Sequence, residues 1–214
     1  MDRIIVNNDI GQYLYNDVDI NKTILIIGCD LSKNFNNLKL YIEKFNNITI
    51  SDNIDLEDQP INYHIDLPVN RINELPITKK YYDSLHPFAK KNVNKGISLC
   101  NHILKDLYEK IDIIKDDLTL LNYYDIIQLR YILHLSIFKD IDKIQIINKL
   151  YNKLNLNGKL LIQNYNKYDD EHYDFTDNEI KELKKEYGEN IEIQIWTDDD
   201  GYYPNKRNLI ITKT

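Results

Sequence analysis

The first sign of chemistry is a small-residue loop behind a buried apolar run. Residues 23–28 (TILIIG) end on Gly28, and Cys29-Asp30-Leu31-Ser32 follow. Small residues after a strand let the backbone approach a ligand, and a helix behind them offers free N–H groups. Acidic side chains close the next runs. Asp52 follows residues 48–51 (ITIS), Asp66 follows residues 61–65 (INYHI), and Asp116-Asp117-Leu118 follows residues 111–114. A carboxylate in such a place can accept hydrogen bonds from ribose hydroxyls. The fourth run opens Tyr124-Asp125-Ile126-Ile127 and is followed by Gln128, Leu129, Arg130 and, further on, His134. Residues 69–96 carry Arg71, Lys79, Lys80, Lys90, Lys91 and Lys95 against Glu74 and Asp83, with Tyr81, Tyr82, His86 and Phe88 among them. Aromatic rings between cations can stack on a base and hold phosphate. Each group also has a plainer reading: a strand-ending glycine, turn aspartates, a loop histidine, packing aromatics.

The elements that must hold these groups follow from periodicity. Phe35, Leu38, Tyr41, Ile42 and Phe45 recur at helical spacing, as do Ile97, Cys100, Ile103, Leu104, Leu107 and Tyr108. Ile141, Ile144, Ile147, Leu150, Tyr151 and Leu154 predict a crossover helix, ended by a left-handed cap at Asn157-Gly158. Thr176 with Glu179 forms a capping box that opens a helix through Ile180, Leu183 and Tyr187. Residues 191–197 and 209–212 predict an antiparallel pair at the sheet edge, joined through Asp198-Asp199-Asp200-Gly201. For the second strand, residues 61–65 alternate cleanly, whereas 48–51 is short for a sheet centre, which favours Asp66 over Asp52. Strands alternating with helices predict an α/β domain with a mostly parallel sheet. Residues 1–214 are expected to form a single domain, with an irregular basic insertion at about 69–96.

Composition narrows the function classes. The net charge of −7 argues against bulk nucleic-acid binding. Two cysteines, Cys29 and Cys100, give no disulfide framework, so a reducing, cytoplasmic setting is expected. No apolar run suits a signal peptide or a membrane span. The abundance of Asn, Ile, Lys, Asp and Tyr points to an AT-rich genome. There is no phosphate-binding Gly-Lys-Ser/Thr loop, no His-Glu-x-x-His and no Cys-x-x-Cys, and no metal is expected.

Taken in order, these elements resemble a class I S-adenosylmethionine-dependent methyltransferase over roughly residues 23–214. The resemblance implies a Rossmann-like mixed sheet, mostly parallel with an antiparallel C-terminal strand, and helices on both faces. It implies S-adenosylmethionine as cofactor, held by Gly28, Cys29, Asp30, Asp66 or Asp52, Asp116, Asp117, Leu118 and Gln128. Members usually carry Gly-x-Gly-x-Gly after the first strand. Here Gly28 is kept, while Asp30 and Ser32 stand at the other two places. A β-carbon there crowds the methionine moiety, and Asp30 adds negative charge near the cofactor carboxylate.

The Asp/Asn-Pro-Pro-aromatic element of base N-methyltransferases is absent, as are the Lys-Asp-Lys-Glu set and the Pro-Cys pair. Arg130-Tyr131-Ile132-Leu133-His134-Leu135 looks instead like small-molecule, lipid and mRNA-cap guanine methyltransferases, and Asn7-Asn8 is loosely similar to an asparagine pair of the cap enzymes. This makes His134 and Arg130 the catalytic candidates. It puts a small-molecule or cap-like nucleotide substrate against Tyr81, Tyr82 and His86. Two functions remain open: an active methyltransferase, or a methyltransferase-like protein without cofactor that serves a protein partner as a binding or stimulatory subunit. A nicotinamide-dependent enzyme is disfavoured by the glycine-poor loop and the closing strand pair.

Overall fold

The computed structural model describes residues 18–28, 41–42, 44–55, 104–130, 132–133, 135–163, 175–196 and 206–214. Seven strands form one sheet. They are β1 (Thr23–Ile27), β2 (Asn47–Asp52), β3 (Tyr108–Lys110), β4 (Tyr124–Arg130), β5 (Leu154–Gln163), β6 (Ile191–Trp196) and β7 (Lys206–Thr212). Their order is β3-β2-β1-β4-β5-β7-β6. The first five run parallel; β7 inserts antiparallel between β5 and β6. Chain order reverses between β1 and β4, and a crevice opens at the carboxyl ends of strands at such a point.

Apolar side chains on both faces explain why the inner strands are buried. Leu25, Ile27, Ile127, Leu129, Leu160 and Ile162 face one core, covered by helices α1 (Lys143–Asn152) and α2 (Asp177–Tyr187). Ile24, Ile26, Ile50, Leu161 and Ile210 face the other, packed with Tyr41, Phe45 and Leu104. Each such Ile or Leu contributes roughly 1.5–3 kcal/mol by leaving water. The ends of α1 and α2 are set by their caps. Asp142 accepts from the Gln145 N–H at the start of α1. Thr176 and Glu179 form the expected capping box on α2, whose Leu183 and Tyr187 are buried. Among the described residues no helix is long and apolar enough to cross a membrane.

Several element boundaries differ from the sequence expectation. The second strand is Asn47–Asp52, six residues long and paired with both β1 and β3, so a short β-branched run does occupy the sheet interior. The third strand begins at Tyr108, expected to lie in a helix, and ends before the run at 111–114. There the Asp112 carboxylate accepts from the N–H groups of Ile114 and Lys115 and bends the chain into a turn. The fourth strand takes in Gln128, Leu129 and Arg130, expected to follow it. Helix α1 ends at its Lys153 cap, where the Lys153 N–H reaches the Leu150 and Tyr151 carbonyls. Leu154 therefore opens β5. Asn157, at φ 62°, makes an irregularity within β5 rather than a helix cap, and its N–H donates to the Lys213 carbonyl at 2.8 Å. The edge pair is present, with β6 outermost and β7 starting at Lys206.

Candidate functional site

The carboxyl ends of β1, β2 and β4 come together at the switch point. Ile27 is in register with Ser51 on β2 and Leu129 on β4. One residue further along, Gly28, Asp52 and Arg130 therefore stand side by side. The Gly28 N–H donates to the Ser51 carbonyl at 3.0 Å, which fixes the first two. Gly28 has φ +87°, and a β-carbon on it would lie 2.5 Å from the Ile132 side chain and 2.6 Å from the Arg130 carbonyl oxygen. The glycine is thus required by the close approach of β1 to the segment after β4. Asp52, half-buried, ends β2 and accepts from the Asn53 N–H at 2.7 Å.

The acidic loop after β3 lies at the same end of the sheet, because the Ile111 N–H continues the ladder to the Asp52 carbonyl at 2.9 Å. Asp116 accepts from the Asp112 N–H at 2.7 Å. Asp117 caps the 3-10 turn Leu118–Leu120 and accepts from both the N–H and hydroxyl of Thr119. Those Thr119 bonds hold the Asp117 carboxyl below its ordinary range. For Asp112, burial acts upward, but bonds from Lys115 and the Ile114 N–H outweigh it and the pKa falls. Asp116 and Asp117 are exposed carboxylates tied down by the loop itself, while Leu118 is buried and anchors that loop in the core. Asp125 stands at the opposite end of β4. It accepts from the Thr23 N–H and hydroxyl, both at 2.9 Å, and from Asn155 at 3.3 Å, and so ties β1 to β4 and β5.

Polar side chains also penetrate the core at the site end. Ser51, Gln128, Gln163 and Asn208 are each no more than 1% exposed. Gln128 Nε2 donates to Gln163 Oε1 at 2.6 Å. Four buried atoms find no hydrogen-bond partner among the described residues: Ser51 Oγ, Gln128 Oε1, Arg130 Nη1 and Asn208 Nδ2. Native interiors leave few such atoms; Gln128, Arg130 and Asn208 share one face of the sheet, and Ser51 lies on the other. Gln163 and Asn208 are additions to the residues picked from sequence. Their signal was a polar residue at an inward position of an otherwise apolar strand.

The structure brings together Gly28, Asp52, Arg130 and the loop of Asp116, Asp117 and Leu118, and it buries Gln128 just beneath them. Cys29, Asp30, Asp66, Tyr81, Tyr82, His86 and His134 lie outside the described residues, as does the basic segment 69–96. Among the described residues no group of three or more His, Cys, Asp or Glu is placed to hold a metal ion.

No family model matches the sequence, and no curated protein matches it. Solved structures do. A candidate rRNA methylase from Clostridium thermocellum superposes with a TM-score of 0.51 at 15% identity, over 98% of each chain. The CurJ carbon methyltransferase superposes with a TM-score of 0.51 at 12% identity, over 99% of this chain and 54% of that one. TehB from Haemophilus influenzae is similar at a TM-score of 0.49 and 15% identity, over 96% of this chain. The chain spans 61% of the length of TehB. Strand order, the antiparallel β7 and the two superpositions at a TM-score of 0.51 agree: the fold is that of the class I S-adenosylmethionine-dependent methyltransferases.

Proposed function

We propose that this protein is an S-adenosylmethionine-dependent methyltransferase acting on a small molecule or a cap-like nucleotide. One observation carries the reading. Gly28 and Asp52 are held next to each other at the switch point, where a nucleoside cofactor meets the sheet. The residues present fit such a cofactor. Asp52 offers a half-buried carboxylate for ribose hydroxyls, and the Asp116–Leu118 loop beside it offers an acidic, apolar-backed edge for a base. Arg130 Nη1 is a buried donor without a partner among the described residues, one strand from Gly28. It would supply positive charge for the cofactor carboxylate.

When bound, the cofactor supplies an activated methyl group on a sulfonium. Transfer from a sulfonium is favourable, so the protein's share is orientation and exclusion of water. Gly28 and Ile132 bring the end of β1 close to the segment after β4. Asp52 would hold the cofactor's ribose and Arg130 its carboxylate. Calorimetric titration with S-adenosylhomocysteine tests the reading. Micromolar binding that is weakened at least about tenfold in Asp52→Ala supports it. No binding at about 1 mM ligand supports instead the binding or stimulatory subunit, with a protein partner.

A further inference from the structure

Helix α1 leads through Lys153 into β5, and α2 leads through residues 188–190 into β6. Both strands run in the direction of β1. The two helices therefore end at the amino ends of the strands, whereas Gly28 and Asp52 stand at the carboxyl ends. Between these helix ends is a cleft of about 240 Å³. It is lined by Asn148, Tyr151 and Asn152 of α1, by Glu186 and Tyr187 of α2, and by Asn190. A cavity of about 150 Å³ takes benzene, so the cleft admits a small organic group. The Tyr151 and Tyr187 rings stand 4.9 Å apart, tilted at 51°. The Tyr187 hydroxyl donates to Asn148 Oδ1, and Asn190 Nδ2 donates to Thr214 Oγ1 at 3.1 Å.

The charge of this wall is negative. Glu186 is exposed and forms no ion pair among the described residues, and no described lysine or arginine lines the cleft. Burial and the Glu186 carboxylate push the Tyr187 phenol up, so it stays protonated and its proton is spent on Asn148. With Asn190 Nδ2 engaged by Thr214, the Asn190 Oδ1 acceptor is left for a ligand. The carbonyl ends of two helices also meet here, each equivalent to roughly half a negative charge. Lys213 Nζ offsets the end of α1. It donates to the Asn152 and Leu154 carbonyls at 3.2 and 2.8 Å and stands 5.8 Å from the Tyr151 ring centroid. Glu186, the end of α2 and the tyrosine faces remain to attract a ligand. Cations are favoured both at helix C-termini and over aromatic faces. We propose that the cleft binds the ammonium group of a small organic amine. The ammonium donates to the Glu186 carboxylate and to Asn190 Oδ1, and the alkyl chain lies against Tyr151 and Tyr187. This site does not depend on the methyltransferase reading.

The test uses n-butylammonium, with 1-butanol as its neutral isostere and butyrate as its anionic counterpart. Each is titrated to about 20 mM into ¹⁵N-labelled protein at low ionic strength. Butylammonium is expected to move the side-chain NH2 signals of Asn148, Asn152 and Asn190 to saturation, and the other two to leave them in place. Glu186→Gln should weaken butylammonium at least about threefold. Because Glu186 is exposed, the melting temperature of this variant should match that of the native chain. Tyr151→Leu removes a ring face and should also weaken binding. Added salt should weaken it in the native chain, since screening reduces the pull of the carboxylate. Absence of saturable shifts overturns the proposal. So do equal shifts with butanol, which would mark an apolar slot, and equal shifts with butyrate, which would give the cleft to anions. Native-like butylammonium affinity in Glu186→Gln overturns it as well. S-adenosylhomocysteine binding is read separately, at the other end of the sheet, so failure of either reading leaves the other standing.

Discussion

Gly28 lies so close to Arg130 that a β-carbon on the glycine would stand 2.6 Å from the arginine carbonyl oxygen. The end of β1 and the end of β4 are thus in contact through a position that admits only glycine. The same backbone carries φ +87°, which L side chains rarely adopt.

Replacing this glycine is therefore expected to cost on two counts, conformation and overlap. Gly28→Ala should destabilise the chain by roughly 2–5 kcal/mol in denaturant unfolding. Gly188 is the control. It also has positive φ, at +57°, but nothing lies within 4 Å of an added β-carbon. Gly188→Ala should cost about 1–3 kcal/mol, the conformational part alone. Equal losses at the two sites would contradict the close packing at Gly28.

Asp52 is expected to be the ribose ligand. Asp52→Ala should weaken S-adenosylhomocysteine about 10- to 100-fold by calorimetry, the equivalent of one or two charge-assisted hydrogen bonds. Asp66→Ala, measured alongside, should change affinity less than about threefold. The reverse pattern would move the ribose to Asp66.

Arg130→Met removes the guanidinium, whose Nη1 has no hydrogen-bond partner among the described residues, and keeps much of the stem. Cofactor affinity should fall about tenfold, and the loss should shrink as salt rises, since screening weakens a charge interaction. A loss independent of salt would mean that Arg130 acts through packing.

Asp125 gives a pH dependence with a defined sign. Burial pushes its pKa up, but bonds from the Thr23 N–H and hydroxyl, the Asn155 amide and nearby Lys22 outweigh it and hold the carboxyl below its ordinary range. A depressed folded-state pKa stabilises the fold fully above the unfolded value of about 4 and is lost as pH falls below it. Asp125→Asn should cost roughly 1–3 kcal/mol at neutral pH and flatten the acid limb of a stability–pH curve. An unchanged acid limb would show that other carboxylates control acid unfolding.

Much of this architecture was legible in the sequence. The apolar run before Gly28, the capping box at Thr176 and Glu179 and the closing strand pair each state a local preference that the fold keeps. The misread boundaries share a cause. Residues 111–114 look like a strand by composition, yet Asp112 and Asp116 bond to the backbone there and end the ladder. The short run ending at Asp52 is stable in the sheet interior because parallel partners on both sides supply its hydrogen bonds. Gln163 was hidden for a related reason. A buried amide declares itself only when its partner on another strand is known, and here that partner is 35 residues away.

Gly28, Asp52 and Arg130 are proposed to frame a nucleoside-cofactor site. Calorimetry with S-adenosylhomocysteine on the native chain and on Asp52→Ala tests this most directly. Micromolar binding to the native chain is expected, and at least about tenfold weaker binding to the variant. No heat of binding at about 1 mM ligand, or identical affinity for both proteins, would contradict it.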